Sequence, residues 1–198
     1  MLSAGGIVEN VFDPEELEQW QSYFQKWSMT GDHILNCYGI DKKNPPAEAW
    51  FQKNVFSKVK DALGLEMKSV FGMYAESVNP YPIHTDSYHI EKNSIDGQSC
   101  VSWLVPYKVD GSAEKVNMAS TIVFNEKELG DKKNAIGDEI STRYLSHCDQ
   151  DHVEKVTIFD IIHWKPGSLI WWDMDRYHCS GSFKGFSTKE MFVGHTFK

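Results

Sequence analysis

The segment NPYPIHTDSYHIE, residues 79–91, contains two histidines that are each followed, two positions later, by a carboxylate. The pairs are His84 with Asp86 and His89 with Glu91. In an extended strand, residues i and i+2 point to the same face, so a histidine and a carboxylate at this spacing can bind one metal ion from one side. A third ligand from a distant strand would complete two histidines and one carboxylate, a set that leaves open positions on iron(II) for substrate and oxygen.

The spacing alone does not identify a site. With eight histidines and 28 acidic residues in 198, about one His-x-acid triplet is expected by chance, whereas four occur. Two of them begin at His147 and His152, in a polar segment for which no strand is predicted, and we expect surface positions there. The pair His84 and Asp86 directly follows a predicted strand that ends in NPYP, where the prolines restrict the backbone. This pair is therefore the better placed.

The third ligand requires a second strand with a histidine at its rim. The stretch WKPGSLIWWDMDRYHCSGSF supplies one: a Pro-Gly turn precedes the apolar run Ser168–Trp172, and a short acidic turn then leads to His178. The candidate metal ligands are thus His84, Asp86 and His178.

Three features, in this order along the chain, resemble the Fe(II)- and 2-oxoglutarate-dependent oxygenases. YPIHTD resembles the Tyr-x-x-His-x-Asp pattern of the prolyl-4-hydroxylase-like branch and matches Tyr81, His84 and Asp86. PGSLIWWDMDRYH resembles the family's Gly-x-apolar-x-aromatic run, which ends in the distal metal histidine, here His178. Lys189 opens KEMFVGHTF and stands where the family carries a basic residue that anchors 2-oxoglutarate. ASTIVFN is also similar to the family's Gly-Gly-x-Thr-x-Phe segment, although Met-Ala replaces the glycines.

The resemblance implies a fold and a reaction. The fold is mainly β (α+β), with a double-stranded β-helix, or jelly roll, as its core and N-terminal supporting helices. The reaction is that of a 2-oxoglutarate-dependent dioxygenase, a hydroxylase that uses Fe(II), 2-oxoglutarate and O2. It couples oxidative decarboxylation of 2-oxoglutarate to hydroxylation of a substrate that the sequence does not identify. A protein side chain and a small molecule both suit the motif.

The resemblance also assigns cosubstrate contacts. The distal carboxylate of 2-oxoglutarate would bind Lys189, with a hydroxyl from Tyr74 or Tyr81. Many members of the family carry arginine at the anchor, which binds a carboxylate through two hydrogen bonds, whereas lysine offers a point charge. Lysine serves this role in the prolyl-hydroxylase-like branch, and Lys184 is a rival for it.

Three tryptophans, Trp103, Trp171 and Trp172, are candidates for lining a substrate pocket, and burial in the core is their alternative interpretation. His89, with Glu91, is expected at the rim of the site. The main alternative function is a cupin-like barrel that binds a metal or small ligand without oxygenase activity and has no need of Lys189.

The elements that position these residues divide the chain in two. Residues 1–68 are predicted to be mainly helical: Asp13 caps a first helix with Leu17, Trp20, Phe24 and Trp27 at helical spacing, and a second helix begins near Asn44 and ends before Gly64. Residues 69–198 contain six runs typical of short strands, which favours an antiparallel jelly-roll core within one domain of 198 residues. Their sequences are SVFGMYAESV, SCVSWLVPY, STIVFN, KVTIFDIIHW, GSLIWWDM and KEMFVGHTF.

The segment 125–154 interrupts the strands. It is polar and rich in charge, and a loop of this length without structure is uncommon unless it is functional or disordered. A lid over a site and a solvated excursion are equally compatible with its composition.

The composition limits the class of protein. A formal net charge of -8 disfavours duplex DNA and anionic membranes as partners, because both require a basic face. The four cysteines form no CxxC pair, so reduced thiols and a cytoplasmic location are expected. The first twenty residues lack the basic start and apolar core that are typical of a signal peptide, and no apolar run reaches about 18–20 residues, so neither a signal peptide nor a transmembrane helix is expected.

Overall fold

A computed structural model of the chain describes residues 5–24, 29–31, 34–39, 45–66, 68–87 and 100–197. The strands among them are β1 (Gly5–Val8), β2 (Met29–Gly31), β3 (Leu35–Gly39), β4 (Lys68–Ser77), β5 (Cys100–Val109), β6 (Ser120–Phe124), β7 (Ile158–His163), β8 (Leu169–Asp173), β9 (His178–Ser180) and β10 (Lys189–Phe197). The helices are α1 (Pro14–Phe24), α2 (Pro45–Phe51), α3 (Ser57–Leu63), α4 (Asp138–Tyr144) and α5 (Gln150–Val153). A π-helical turn, Gln52–Phe56, joins α2 to α3, and a 3-10 helix, Ala113–Met118, precedes β6.

The strands form two antiparallel sheets. The large sheet has the order β1-β8-β5-β10-β4-β3-β2, and the small sheet has the order β7-β6-β9. All six predicted strand runs are present, as β4, β5, β6, β7, β8 and β10, and the mainly β fold class is confirmed. The short strands β1, β2, β3 and β9 were not predicted, because three to five residues carry too little alternation to identify a strand.

The two predicted N-terminal helices are present and cover one face of the large sheet. A reciprocal capping box starts α1: the Glu16 N–H donates to Asp13 Oδ1, and the Asp13 N–H donates to Glu16 Oε2. The second helical segment ends at Gly64, which adopts the left-handed conformation with φ of 62°. Trp27 and Asn44 lie outside the described residues.

Helix packing buries one face of the central strands, and the small sheet covers part of the other. Trp20 and Phe24 of α1 pack with Trp103 of β5 and Phe192 of β10 in the first apolar cluster. The adjacent residue Leu104 belongs to a second cluster that also includes residues of β6 and β8. Because side chains alternate along a strand, each central strand presents one set of residues to the helices and another to the small sheet.

The Pro-Gly turn before β8 is built on Gly167. Its φ is +68°, and its carbonyl accepts hydrogen bonds from the N–H groups of Val11 and Phe12. A Cβ added there would lie 2.0 Å from the carbonyl oxygen of Phe12. The turn therefore needs glycine both for its backbone angle and for this close approach of the chain that precedes α1.

The segment 125–154 is partly folded against the small sheet. It contains α4 and α5, and Leu145 and Val153 are buried together with Ile122 and Phe124 of β6. The expectation of surface positions is wrong for His147, which is half-buried and lies with Nε2 3.1 Å from the carbonyl oxygen of Tyr81. No helix in the described ranges has the length and apolar character needed to cross a membrane.

Candidate metal centre

The structure brings His84, Asp86 and His178 together. One donor atom from each lies within 4.8 Å of the other two. His84 Nε2 is 3.7 Å from Asp86 Oδ1, and His178 Nε2 is 3.4 Å from Asp86 Oδ2. An isolated antiparallel bridge holds the two histidines side by side, because the N–H of each donates to the carbonyl oxygen of the other at 2.9–3.0 Å.

The backbone also orients both imidazole rings. Nδ1 of His84 lies 2.8 Å from the carbonyl oxygen of Pro82, and Nδ1 of His178 lies 3.1 Å from that of Arg176. A carbonyl oxygen only accepts, so Nδ1 carries the proton in each ring and Nε2 keeps its lone pair. In both rings Nε2 is the nitrogen that lies near Asp86, as expected for metal ligands whose second nitrogen is fixed by an outer partner.

The protonation states suit a cation. Burial, followed by the neighbouring His178, lowers the pKa of His84 to about 4. Burial also lowers the pKa of His178. Burial alone would raise the pKa of Asp86, but the three histidines around it and a hydrogen bond from Ser102 hold that pKa well below its usual range. Near neutral pH the group is two neutral imidazoles and one carboxylate, the forms that ligate metals.

Two residues that sequence reasoning missed support Asp86. The Ser102 hydroxyl donates to Asp86 Oδ2 at 2.6 Å, and Ser102 Oγ lies 3.0 Å from Nδ1 of the buried His195. Since the single hydroxyl proton goes to Asp86, His195 Nδ1 is the donor to Ser102. Ser102 and His195 face each other across β5 and β10. Only the register of β5 against β10 shows that these two residues are close, and the sequence does not reveal that register.

A cavity of about 450 Å³ opens beside the three candidate ligands. Lys189 and Tyr81 line it, and the remaining wall is largely apolar, with Met73, Leu104, Trp172, Met191 and Val193 among its residues. A volume of this size falls within the range of small-molecule sites in proteins.

Lys189 is the basic residue of this cavity. Its side chain is 3% exposed, its ammonium group donates to Ser180 Oγ at 2.6 Å, and it lies 4.7 Å from the centre of the Trp164 ring. No carboxylate of the described residues forms an ion pair with it. Burial lowers the pKa of Lys189 to about 7. A bound anion would stabilise the charged form of an amine that is buried in this way.

No protein-family model matches the sequence, and a comparison with curated proteins finds no relative. Several solved structures have a fold similar to that of this chain. The non-heme alpha-ketoglutarate-dependent carbocyclase SnoK from nogalamycin biosynthesis superposes with a TM-score of 0.64 at 7% identity, over 98% of this chain and 80% of that one. HygX from Streptomyces hygroscopicus, with nickel, 2-oxoglutarate and hygromycin B bound, gives 0.56 at 10% identity, over 98% and 83%. A Pseudomonas putida prolyl-4-hydroxylase gives 0.51 at 9% identity, over 98% and 92%.

This chain has the fold of the 2OG-Fe(II) oxygenases. The resemblance drawn from YPIHTD, His178 and Lys189 is thereby confirmed at the level of the fold. Sequence identities of 7–12% show a shared fold alone.

Within this fold the structure separates the two candidate lysines and the two candidate tyrosines. Lys184 is exposed and donates to the carbonyl oxygen of Thr142, so only Lys189 faces the cavity. Tyr81 lines the cavity, and its ring centre is 4.3 Å from that of His84. The assignment of Tyr74 to the cosubstrate is wrong: its side chain points toward the helices, where its hydroxyl donates to Glu190 at 2.5 Å.

Of the tryptophans that were candidates for a substrate pocket, two lie in the core and one lines the cavity. Trp103 and Trp171 belong to the core cluster beneath the helices and do not line the cavity, so their assignment to a substrate pocket is wrong. Trp172, one position further, does line it, and its ring centre is 4.6 Å from that of His178. Trp172 Nε1 is buried and has no hydrogen-bond partner among the described residues. His89 and Glu91 lie outside the described residues.

Proposed function

We propose that this protein is an Fe(II)- and 2-oxoglutarate-dependent oxygenase that hydroxylates its substrate. One observation carries the proposal: a group of two histidines and an aspartate shares a cavity with a buried lysine that pairs with no carboxylate of the described residues. The two histidines and the aspartate match a non-haem iron(II) site. The lysine is suited to bind the far carboxylate of a dicarboxylate cosubstrate. We further propose that the two sheets form a double-stranded β-helix within a single domain.

The donor set fits the metal. His84 Nε2, Asp86 and His178 Nε2 would hold the ion, and the carbonyl oxygens behind the two rings would keep the rings in place. Two nitrogens and one carboxylate from one side leave the opposite side open toward the cavity. Ser102 would keep one oxygen of Asp86 engaged, which fixes the carboxylate plane.

The cavity fits the cosubstrate. The ammonium group of Lys189 would bind the distal carboxylate of 2-oxoglutarate, with the Ser180 hydroxyl beside it as a second polar contact. Tyr81 is positioned on the His84 side and can add a hydroxyl contact. The apolar wall would exclude water around the reacting carbon, and it includes Met191 and Val193.

When bound together, iron(II), 2-oxoglutarate and O2 supply the oxidative decarboxylation of 2-oxoglutarate to succinate and CO2 and the oxidation of a substrate C–H bond. The residues of the chain bind and orient the reactants. Trp172 packs against His178 and lines the cavity, so its ring shapes the space beside that candidate ligand.

The substrate class is proposed from the neighbours and the charge. HygX is described with hygromycin B bound, and another neighbour is a prolyl-4-hydroxylase, so both small molecules and prolyl side chains occur as candidates. The net charge of -8 makes a nucleic acid an unfavourable partner. A cytoplasmic location remains a prediction.

Thermal denaturation without oxygen tests the proposal. Mn²⁺ should raise the melting temperature, and 2-oxoglutarate should raise it further only when Mn²⁺ is present, because each ligand binds the folded state. His178→Ala should remove both shifts. With Fe(II) and O2, the protein should then release succinate. A metal shift without any effect of 2-oxoglutarate would instead indicate the cupin-like binding barrel, and an unchanged pair of shifts in His178→Ala would refute the site.

A further inference from the structure

A second group of metal-ligating side chains lies outside the proposed iron site. Donor atoms of His147, Cys148 and Cys179 all lie within 4.8 Å of one another. His147 and Cys148 follow α4, whereas Cys179 is the central residue of β9. The group therefore joins the segment 125–154 to the strand that carries His178.

The chemistry of this group differs from that of the iron site. Two thiols and one imidazole form a soft donor set, the type that selects Zn²⁺ over Mg²⁺, Ca²⁺ or Mn²⁺. Zinc–sulfur and zinc–nitrogen bonds of about 2.3 and 2.0 Å in a tetrahedron place neighbouring donor atoms about 3.5 Å apart. The His147 ring already lies beside Cys148, with Nε2 3.3 Å from Sγ. The donor atoms of the three residues lie within 4.8 Å of one another, so they would have to approach by up to about 1.3 Å to close around an ion.

The surroundings also favour an ion. Cys179 is 1% exposed and packs with Ile122, Phe124 and Leu145, so little water competes for its sulfur. His147 Nε2 is within hydrogen-bond distance of the Tyr81 carbonyl oxygen and of Cys148 Sγ, but Nδ1 is buried with no partner among the described residues. Because the Tyr81 carbonyl oxygen only accepts, Nε2 carries the proton and Nδ1 keeps its lone pair, so Nδ1 is the ring nitrogen that could bind an ion without loss of that hydrogen bond.

We propose that His147, Cys148 and Cys179 form a binding site for Zn²⁺, with a water molecule or a backbone oxygen as its fourth ligand. The bound ion would fasten the segment 125–154 to β9, immediately behind His178. A structural ion at this place would stabilise the fold by linking the segment 125–154 directly to β9. The proposal does not depend on the oxygenase function.

The test is a titration of the reduced, metal-free, full-length protein with Co²⁺ in the absence of oxygen. A thiolate bound to Co²⁺ produces a sulfur-to-cobalt charge-transfer band in the near ultraviolet, which histidine and aspartate ligands do not produce. The band should saturate with about one ion per chain at the thiol site. Zn²⁺ should then abolish it, because zinc displaces cobalt from such a site.

Variants separate the two sites. Cys148→Ser and Cys179→Ser should each lose the band and lower the cobalt content by about one ion per chain. Cys100→Ser, which removes another buried thiol, should keep both. Asp86→Ala should also keep the band, so failure of the iron site and failure of the thiol site are distinguishable.

The opposite results are equally specific. Absence of the band in the unsubstituted protein, or its persistence in both serine variants, would overturn the proposal. A disulfide between Cys148 and Cys179 in the protein isolated under reduction would also overturn it. Mass spectrometry would detect that disulfide as the loss of the two thiol hydrogens. If Cys179→Ser does not fold, Cys148→Ser and His147→Asn at half-buried positions provide the same measurement.

Discussion

Lys189 Nζ donates a hydrogen bond of 2.6 Å to Ser180 Oγ, and both side chains are buried in the wall of the cavity that contains the candidate metal ligands. A hydroxyl satisfies one of the three ammonium hydrogens but supplies no opposite charge. Within the described residues, the charge of Lys189 is therefore not balanced by an opposite charge. An anionic group placed against it would gain a charge-assisted hydrogen bond in a site with little water.

The first prediction concerns the charge of Lys189. Lys189→Met should weaken 2-oxoglutarate binding at least about 30-fold, since loss of one partner of a buried charge pair costs about 2 kcal/mol or more. The melting temperature of the ligand-free protein should not fall, because the variant replaces a desolvated amine with an apolar chain of similar length. Calorimetric titration of the Mn²⁺-loaded protein measures the binding.

Lys184→Met is the matched control, because Lys184 is exposed and bonds to the backbone of the polar segment. Its affinity for 2-oxoglutarate should equal that of the unsubstituted protein. An equal loss in both variants would contradict the assignment of the anchor to Lys189.

The second prediction concerns pH. Without ligand the pKa of Lys189 is about 7, because burial disfavours its charge. A carboxylate binds the protonated amine and raises its pKa, so binding takes up a proton above pH 7. The affinity for 2-oxoglutarate should therefore be constant below about pH 7 and fall by about tenfold per pH unit above it, until the pKa of the complex is reached.

Dissociation constants measured with Mn²⁺ at several pH values give this profile. Lys189→Arg keeps its charge throughout, so any pH dependence that remains in that variant belongs to other groups. Identical profiles for the lysine and arginine proteins would show that the titrating group is not Lys189.

The third prediction concerns the support of Asp86. Ser102→Ala removes the hydroxyl that donates to Asp86 Oδ2 and accepts from His195, so the carboxylate loses its fixed orientation. Metal affinity should fall about 10–100-fold, the usual effect of losing an outer-sphere partner. Ser168→Ala is the control, since Ser168 is equally buried but bonds to the Lys165 carbonyl oxygen. If both variants bind Mn²⁺ with equal affinity, Ser102 has only a structural role.

The sequence was sufficient to predict which residues form the candidate metal group, but not which residues form the cavity wall. His84, Asp86 and His178 were inferred from spacing and a strand rim, and the structure brings them together. The choice between Trp171 and Trp172 was different, because β8 is buried on both faces and its apolar run carries no alternation. A pattern without alternation cannot tell the helix-packed face from the face that borders a cavity.

Contacts that depend on register were also hidden. Ser102 and His195 are 93 positions apart and meet only because β5 and β10 are neighbours in a particular register. His147 was interpreted as a surface residue because the segment around it is polar, yet that segment contributes Leu145 and Val153 to a buried cluster. Average polarity over thirty residues conceals a few apolar positions that dock a segment on a sheet.

The fourth prediction separates backbone strain from steric overlap at two glycines. Gly64 and Gly167 have similar positive φ angles, 62° and 68°, but a Cβ at Gly64 would meet nothing within 4 Å, whereas one at Gly167 would lie 2.0 Å from the Phe12 carbonyl oxygen. Gly64→Ala should lower the free energy of unfolding by about 1–2 kcal/mol, the cost of the left-handed conformation. Gly167→Ala should lower it by about 2–5 kcal/mol, because overpacking against the backbone adds to that strain. Urea unfolding of the two variants measures the difference, and equal losses would mean that the chain before α1 moves away from the turn without cost.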